Sequence, residues 1–532
     1  MTSFNLEHSS LIKEILAQGL PLNTLRVHAR RLQEALGGNP PSRTFSVVGG
    51  CRLDNGRLIS LSDWLAQLDP RVQRKDCLKT ASFIPASGLA TRYLEPFSKL
   101  LQDLELGNLK AQVSDYIQAE WSLPEEVLPL LHKTLENLDE TEKQFLYSLL
   151  ERPKALFPCR KILDGKEYKL SFLEMKILEE KALAHTGALF FVASPKNQDR
   201  YLELIRHSSR NETNSSSKGS QKDTPIYSLV QGSALSTLRF DERGRPQRDE
   251  HGELVLAPGG HGTLIHLFPE VKKIDPNLDS IFIRNIDNVV GWSDEVLRVT
   301  QSFLCFYRQS YTQVKNIRKA LSKSDLTEAS EHAASLRSFL PKRSLPLEDQ
   351  QFIERVENSE EKFVWELLFS VFQISVPLAG DGSLATLKRL FDRPFNILGQ
   401  VPNTGHDLGG SPLVVESPYG RISVVLELPH VCEQDRKDFL EDIHAVTHFN
   451  PVFAICELVD HPELYYDRAD SPFWILAKKK WMGKDVYHHE SLLYELVGNS
   501  CFANMILLEV PRILFNPHKS LSDSGIKSHK IT

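Results

Sequence analysis

The sequence predicts an α/β fold with a largely parallel sheet, and three observations carry that prediction. Residues 81–85, 188–193 and 280–285 are short apolar runs of strand length, each ending in small or polar residues. Stretches of helical periodicity separate them, and such alternation builds crossover connections between parallel strands. At 532 residues, the chain is long enough for a large core, in two or three folding units or in one α/β domain with long insertions. Ligands of such sheets sit outside the C-terminal ends of the strands, so the chemistry is expected just after these runs.

Composition narrows the class. Hydrophobic residues make up 41% and charged residues 25%, with 28 Gly and 29 Pro, which suits a globular core and excludes collagenous or wholly disordered chains. The 63 Lys and Arg against 69 Asp and Glu leave a formal charge of -6, so no global basic field attracts nucleic acid; a local anion site is still compatible with it. Seven cysteines without a CxxC pair argue against a zinc ribbon or a disulfide framework and read as reduced core residues. Met1 to Ile15 lack a basic stretch followed by an apolar run, and no uncharged apolar stretch is long enough to cross a bilayer. A cytoplasmic protein without a membrane partner is expected.

Along the chain, residues 9–38 read as two amphipathic helices. Leu11, Ile12, Ile15 and Leu16 share one face of the first, and Asn23 caps a second that stops at Gly37-Gly38. Residues 44–59, centred on Asp54-Asn55-Gly56, read as a hairpin. Residues 208–224, rich in Ser, Asn and Lys, read as a flexible surface insertion. A helical region is expected over 295–372, with Leu297, Phe303, Phe306, Tyr307, Phe352, Phe363, Leu367 and Leu368 as packing residues. A second hairpin is expected from 413–416 and 422–428 around Pro418-Tyr419-Gly420, and a last strand over 505–510. From Lys519 the tail is polar.

The segments that could carry chemistry follow the apolar runs. Ile84-Pro85-Ala86-Ser87-Gly88-Leu89-Ala90-Thr91-Arg92 has Lys99 seven residues beyond its arginine. Small residues there let backbone N–H groups approach an anion, and Arg92 and Lys99 add charge to a phosphate held at the following helix N-terminus. The same segment reads also as a tight strand-to-helix turn with a solvated arginine; it is neither a GxxxxGK phosphate loop nor a GxGxxG loop. Ala257-Pro258-Gly259-Gly260-His261-Gly262 leaves backbone open to a base or a sugar while the imidazole donates to a phosphate, or it is a glycine-rich hairpin. In Ile281-Phe282-Ile283-Arg284-Asn285-Ile286-Asp287-Asn288, an acid emerges from a strand end. Asp287 there suits Mg²⁺, which often binds through one or two carboxylates plus substrate phosphates, or it serves as an Asx turn or helix cap.

In this order, the motifs resemble those of sugar-nucleotide pyrophosphorylases of the UDP-glucose and UDP-N-acetylhexosamine type. Ser87-Gly88-Leu89-Ala90-Thr91 with Ser98-Lys99 is similar to their Gly-Gly-x-Gly-Thr loop and downstream Pro-Lys. Gln231 and Pro258 to Gly262 resemble their strand-borne Gln and Pro-x-Gly-His-Gly loop, and Asn285-Ile286-Asp287-Asn288 their Asn-x-Asp-Asn strand end. Val424-Val425-Leu426-Glu427-Leu428-Pro429 resembles their Val-Val-Glu-Tyr-Ser-Glu segment. Val510-Pro511-Arg512 with Phe515-Asn516-Pro517-His518-Lys519 resembles their Val-Pro-Arg and Phe-x-Pro-x-Lys. Nearer still is a bacterial domain-of-unknown-function family, DUF4301, with Pro-Ala-Ser-Gly, Pro-Gly-Gly-His-Gly, Asn-Ile-Asp-Asn-Val and Thr-His-Phe-Asn-Pro, the last matching Thr447 to Pro451. Ala90, Ser98 and Thr263 depart from the pyrophosphorylase pattern, where a glycine, a proline and an acid are usual.

The resemblance implies a GT-A-like Rossmann-type nucleotidyltransferase core with a mixed, mainly parallel sheet over residues 76–518. A helical and hairpin extension over 1–75, the insertions 208–224 and 295–372 and a polar tail over 519–532 complete the expected organisation. It also implies transfer of a nucleotidyl group from a nucleoside triphosphate, UTP favoured, to a sugar 1-phosphate with release of pyrophosphate. Arg92, Lys99 and Lys519 would act on phosphates and Asp287 would hold Mg²⁺. Ser87, Gly88, Leu89, Thr91, Gln231, Gly260, His261, Gly262, Asn288, Glu427 and Asn450 would contact nucleotide or sugar. Two other readings stand beside this one. A non-catalytic nucleotide-sugar binding protein would use the same scaffold. A metallohydrolase would need His444 and His448 on one helical face, but Ala445 stands where HExxH requires glutamate.

Overall fold

The three apolar runs form the strands Thr80–Pro85, Leu189–Ala193 and Ser280–Arg284, buried along nearly their whole length, as runs without polar alternation should be. The computed structural model describes residues 9–20, 22–36, 44–67, 79–88, 93–117, 123–163, 166–183, 187–210, 224–338, 340–341, 343–404, 410–441, 446–466, 474–481 and 484–521. The chain divides into two compact units. The first holds Met1–Lys79, Gln231–Phe282 and Ser302–Pro511, and the second holds Thr80–Val230, Ile283–Gln301 and Arg512–Thr532.

In the second unit, Thr80–Pro85, Leu189–Ala193 and Ile226–Val230 pair in parallel in that order. In the first, Phe395–Pro402 pairs in parallel with Asn504–Glu509, which pairs in parallel with Ile59–Ser60; Phe453–Glu457 and the short His448–Phe449 add antiparallel partners to Phe395–Pro402. The sheet is therefore mixed and mainly parallel, and with its helices it makes the protein α/β. The expected helical region is present as Asp294–Ser322, Leu326–Ser338, Leu347–Arg355 and Ser359–Ser370. Phe303, Phe306, Tyr307, Phe352, Leu367 and Leu368 are buried there, but Phe363 is half exposed at 50%. The hairpin at 411–426 and the last strand also form, as Ser411–Ser417 with Gly420–Leu426 and as Asn504–Glu509.

Three local expectations need correction. Residues 44–59 do not make a hairpin: Val47–Gly50 pairs antiparallel with Ser411–Ser417, whereas Ile59–Ser60 pairs in parallel with Asn504–Glu509. The Asn-Gly turn itself is real, with Gly56 at φ 66 and the Asn55 carboxamide bridging Arg52 N–H and the Gly50 carbonyl. Turn chemistry is local, however, and the strands it joins found better partners elsewhere. Asn23 lies inside the helix Leu22–Leu36 rather than capping it, and Leu16 of the preceding helix Ser9–Ala17 is 55% exposed while Leu11 and Ile15 pack against Leu238 and Phe240. His448 sits in a strand and bonds Glu509 at 2.8 Å, so no helical face carries it; His444 and Ala445 lie outside the described residues. The six described cysteines are free, but the core reading holds for only three of them: Cys51, Cys159 and Cys456 are buried, whereas Cys305, Cys432 and Cys501 are partly exposed. Among the described residues no helix is long and apolar enough to cross a membrane.

One ion pair ties the long helix to the sheet of the first unit. Arg318 grips Glu457 with Nη1 at 2.6 Å and Nη2 at 2.9 Å and also donates to the carbonyls of Phe391 and Arg393. Glu457 accepts from Phe395 N–H and the Tyr311 hydroxyl as well. Arg318→Met should cost about 3–5 kcal/mol, because it strands a carboxylate that is 10% exposed, and denaturant unfolding should show it.

Candidate functional site

In the second unit, the site is built around Lys154. This lysine begins a short 3₁₀ turn after Pro153, and its side chain is only 8% exposed. Its Nζ lies 3.3 Å from Asp287 Oδ2, donates to the His518 carbonyl, and stands 4.9 Å above the Tyr93 ring and 5.3 Å above that of Phe172. His518 N–H donates back to the Asp287 carbonyl at 2.9 Å. Two motif segments, the strand end at Asp287 and the run Phe515 to Lys519, thus meet at one ammonium group, against the ring of Tyr93, the residue that follows the first motif. Asp287 keeps 22% of its side chain exposed, so the carboxylate has an open edge.

A second buried set of charges holds that strand end in place. Lys176, 1% exposed, bonds Glu179 at 2.8 Å and also donates to the Asn288 carbonyl. Arg284 pairs with Glu180, and Glu179 accepts from Gly291 N–H at 2.7 Å. Burial holds the Lys176 ammonium below the ordinary lysine range, with the Glu179 charge opposing it. Asn288 spends its side chain within the chain, donating to the Leu514 carbonyl at 2.9 Å and accepting from Asn516 N–H at 2.7 Å. It positions Asp287 through the backbone.

The phosphate-loop residues lie in the same unit. Ala86 is pinned by Tyr201, whose hydroxyl donates to its carbonyl at 2.6 Å; Ser87 is half-buried and Gly88 exposed. A Cβ on Gly88 would meet nothing within 4 Å, so its small size is not required by packing. Leu89, Thr91 and Arg92 lie outside the described residues. Lys99 is on the surface of helix Glu95–Glu105, 66% exposed and paired with Glu95 at 2.7 Å. Lys519 has its Nζ 6.0 Å from the Phe515 ring centroid.

Gln231, the glycine loop, Glu427 and Asn450 belong to the first unit. Gly259 and Gly262 exchange backbone hydrogen bonds with Ser491, both at 2.8 Å. A Cβ on Gly260 would lie 2.4 Å from the Ser491 carbonyl oxygen, and one on Gly262 would lie 2.7 Å from Ser491 Cβ; Gly260 also has φ 86. These glycines admit a neighbouring chain. His261 Nδ1 accepts from Leu493 N–H at 2.7 Å, and burial pushes the imidazole down to about 4. It is neutral at pH 7 with its proton on Nε2, a fixed hydrogen-bond donor. Asn450 is buried and holds a turn, donating to the Gly399 carbonyl at 2.9 Å and accepting from Val452 N–H at 2.8 Å. Glu427 N–H donates to Glu495, and Gln231 is half-buried.

Lys154 and Lys176 are the residues that sequence reasoning missed. Neither lies in a motif, and a single lysine carries no periodicity to mark it. Among the described residues, no three His, Cys, Asp or Glu side chains gather as a metal site. Asp287, one open carboxylate beside a lysine, therefore fits a hard cation only as one that arrives on substrate phosphates.

The fold and the Lys154 centre define an α/β protein with a paired anion and cation at a strand end. The description "Domain of unknown function (DUF4301)" matches residues 47–369 and 343–530, and the chain belongs to this family. UDP-glucose phosphorylase from Trypanosoma brucei is similar in structure, with 13% identity, a TM-score of 0.48, and 96% of this chain and 76% of that chain covered. A mutant UDP-glucose pyrophosphorylase from Leishmania major in complex with UDP-glucose gives 12% identity, a TM-score of 0.49, and coverage of 98% and 79%. The comparison with curated proteins found no match.

Two tests separate packing from ligand roles. Gly262→Ala should lose about 1–3 kcal/mol of stability by overpacking on Ser491, whereas Gly88→Ala should stay within about 0.5 kcal/mol of the parent in denaturant melts. Stability should also fall as the pH drops from 6.5 towards about 4, because the unfolded His261 takes up a proton there and the folded one does not. In His261→Gln that part of the pH dependence should vanish, leaving a shallower unfolding profile.

Proposed function

We propose that this protein is a nucleotidyltransferase that joins a nucleoside triphosphate, UTP favoured, to a sugar 1-phosphate and releases pyrophosphate. The observation that carries this reading is the meeting of the strand-end and last-motif segments at Lys154 and Asp287 in one unit, with Tyr93, the residue after the first motif, against the same ammonium. The attacking group is the phosphate of the sugar 1-phosphate, whose second pKa lies near ~6, so its oxygen is already ionised at neutral pH and no general base is required. Catalysis then rests on in-line positioning and on compensating the charge of the α-phosphate and of the departing pyrophosphate.

Lys154 supplies a desolvated positive charge whose direction is set by Asp287, His518 and the two rings. Arg92, Lys99 and Lys519 bind the outer phosphates, with Lys99 first leaving Glu95. Ser87, Gly88, Leu89 and Thr91 bring backbone N–H groups to the nucleotide. Within the first unit, His261 offers Nε2 as a donor suited to sugar or phosphate beside Gly260 and Gly262, and Gln231, Glu427 and Asn450 are the further candidates there. Asn288 keeps Asp287 in place. When bound, Mg²⁺ supplies further compensation of phosphate charge, and Asp287 is the side chain that would hold it.

The pairing of Asp287 with Lys154 also favours a second reading, a nucleotide-sugar binding protein without turnover, since the carboxylate already has a partner. Exchange of labelled pyrophosphate into nucleoside triphosphate, driven by a panel of nucleotide sugars, decides between the two. Exchange is expected, and Asp287→Asn or Lys154→Gln should each reduce it about a hundredfold or more. Full exchange in both variants would sink this assignment of residues, and binding without exchange across the panel would leave the non-catalytic reading.

A further inference from the structure

Outside these motifs, the first unit has a half-open pocket of ≈ 200 Å³ lined by Gly49, Arg57, Arg343, Asp349 and Gln373, with Arg421 also in its lining. Arg57 donates to Gln373 Oε1 at 3.2 Å and to Ser423 Oγ at 2.8 Å, and Arg343 donates to the Phe369 carbonyl at 3.0 Å. Among the described residues, neither guanidinium reaches a carboxylate within ion-pair distance. Burial, and then the charge of Arg57, push Arg343 down to about 10, and burial raises the Asp349 carboxyl to about 6. Arg421 pairs with Glu416 on the exposed surface, where exposed Glu348 also lines the opening. The interior is thus left with two guanidiniums and one buried carboxylate.

Such an arrangement costs free energy unless something compensates it, since two like charges drawn out of water repel each other. The Asn55-Gly56 turn makes it rigid: a Cβ on Gly56 would lie 3.1 Å from Arg343 Cβ, and the Arg57 carbonyl accepts from Gln373. We propose that this cavity binds a tetrahedral oxyanion, namely inorganic phosphate or the phosphoryl group of a small phosphate monoester. The planar fork of arginine matches phosphate oxygens in pairs, and a phosphoryl group brings between one and two negative charges near neutrality. A monocarboxylate would balance one guanidinium, and Asp349 already offers that. The site is independent of the transferase reading and survives its failure.

Isothermal titration of the full chain with inorganic phosphate, and separately with glycerol 3-phosphate, at constant ionic strength tests the proposal. Saturable binding is expected with a Kd on the order of 1 mM or tighter. Arg343→Gln should weaken it about tenfold or more, since a charged hydrogen-bond donor is lost. Gly49→Asp, whose Cβ would meet nothing within 4 Å, should do the same by adding a carboxylate at the cavity wall, and it tests the site even if the arginine variant misfolds. Lys273→Gln, at a surface lysine 69% exposed and outside the pocket, should bind as the parent does. Tighter binding of glycerol 3-phosphate assigns a monoester, and tighter binding of free phosphate assigns the inorganic ion. Absence of saturable binding by either probe, unchanged affinity in Gly49→Asp, or loss of binding in Lys273→Gln would overturn the proposal.

Discussion

A lysine ammonium taken almost wholly out of water must be surrounded by opposite charge and aligned dipoles, because a buried ion without them costs several kcal/mol. Lys154 meets that demand with the Asp287 carboxylate, the His518 carbonyl and the faces of Tyr93 and Phe172. Each comes from a different part of the chain. Satisfying one charge therefore gathers the strand-end acid, the last motif and Tyr93, the residue that follows the phosphate-loop segment. The second set, Lys176, Glu179, Glu180 and Arg284, fixes the backbone on which Asp287 sits, so the carboxylate is held at its place without spending its own exposed edge.

Glycines in the two loops serve different ends. Gly260 and Gly262 are small because the Ser491 backbone passes too close for any Cβ, and the histidine between them is turned by Leu493 so that one ring nitrogen accepts and the other must donate. Gly88 has space around it, so what it leaves open is access for something else. Both loops look alike as strings of small residues, yet one is small for the protein and the other is open towards solvent.

The arginine cavity arises from the same kind of long-range demand, incompletely met. Arg57 follows the Asn-Gly turn and Arg343 packs against that turn, so both line one pocket by construction, with Asp349 the buried counter-charge in the same lining. An excess of positive charge inside a walled space is an anion site in its electrostatics, whatever the chemistry elsewhere in the chain.

Patterns confined to short windows were legible in the sequence. Unbroken apolar runs marked Thr80–Pro85, Leu189–Ala193 and Ser280–Arg284 as buried strands, and helical spacing marked the stretch from Asp294 to Ser370. The ordered motifs pointed to the family to which the chain belongs. Only the tertiary structure decided that the strands flanking Asn55-Gly56 part company, that Asn288 and Asn450 spend their side chains holding turns, and that Lys154 is the centre on which Asp287 and His518 converge. The physical reason is the range of the forces involved. Hydrophobic periodicity and turn preference are written in neighbouring residues, whereas the partner of a lone charge or of a short strand is chosen across hundreds of positions, by which burial leaves the fewest groups unsatisfied.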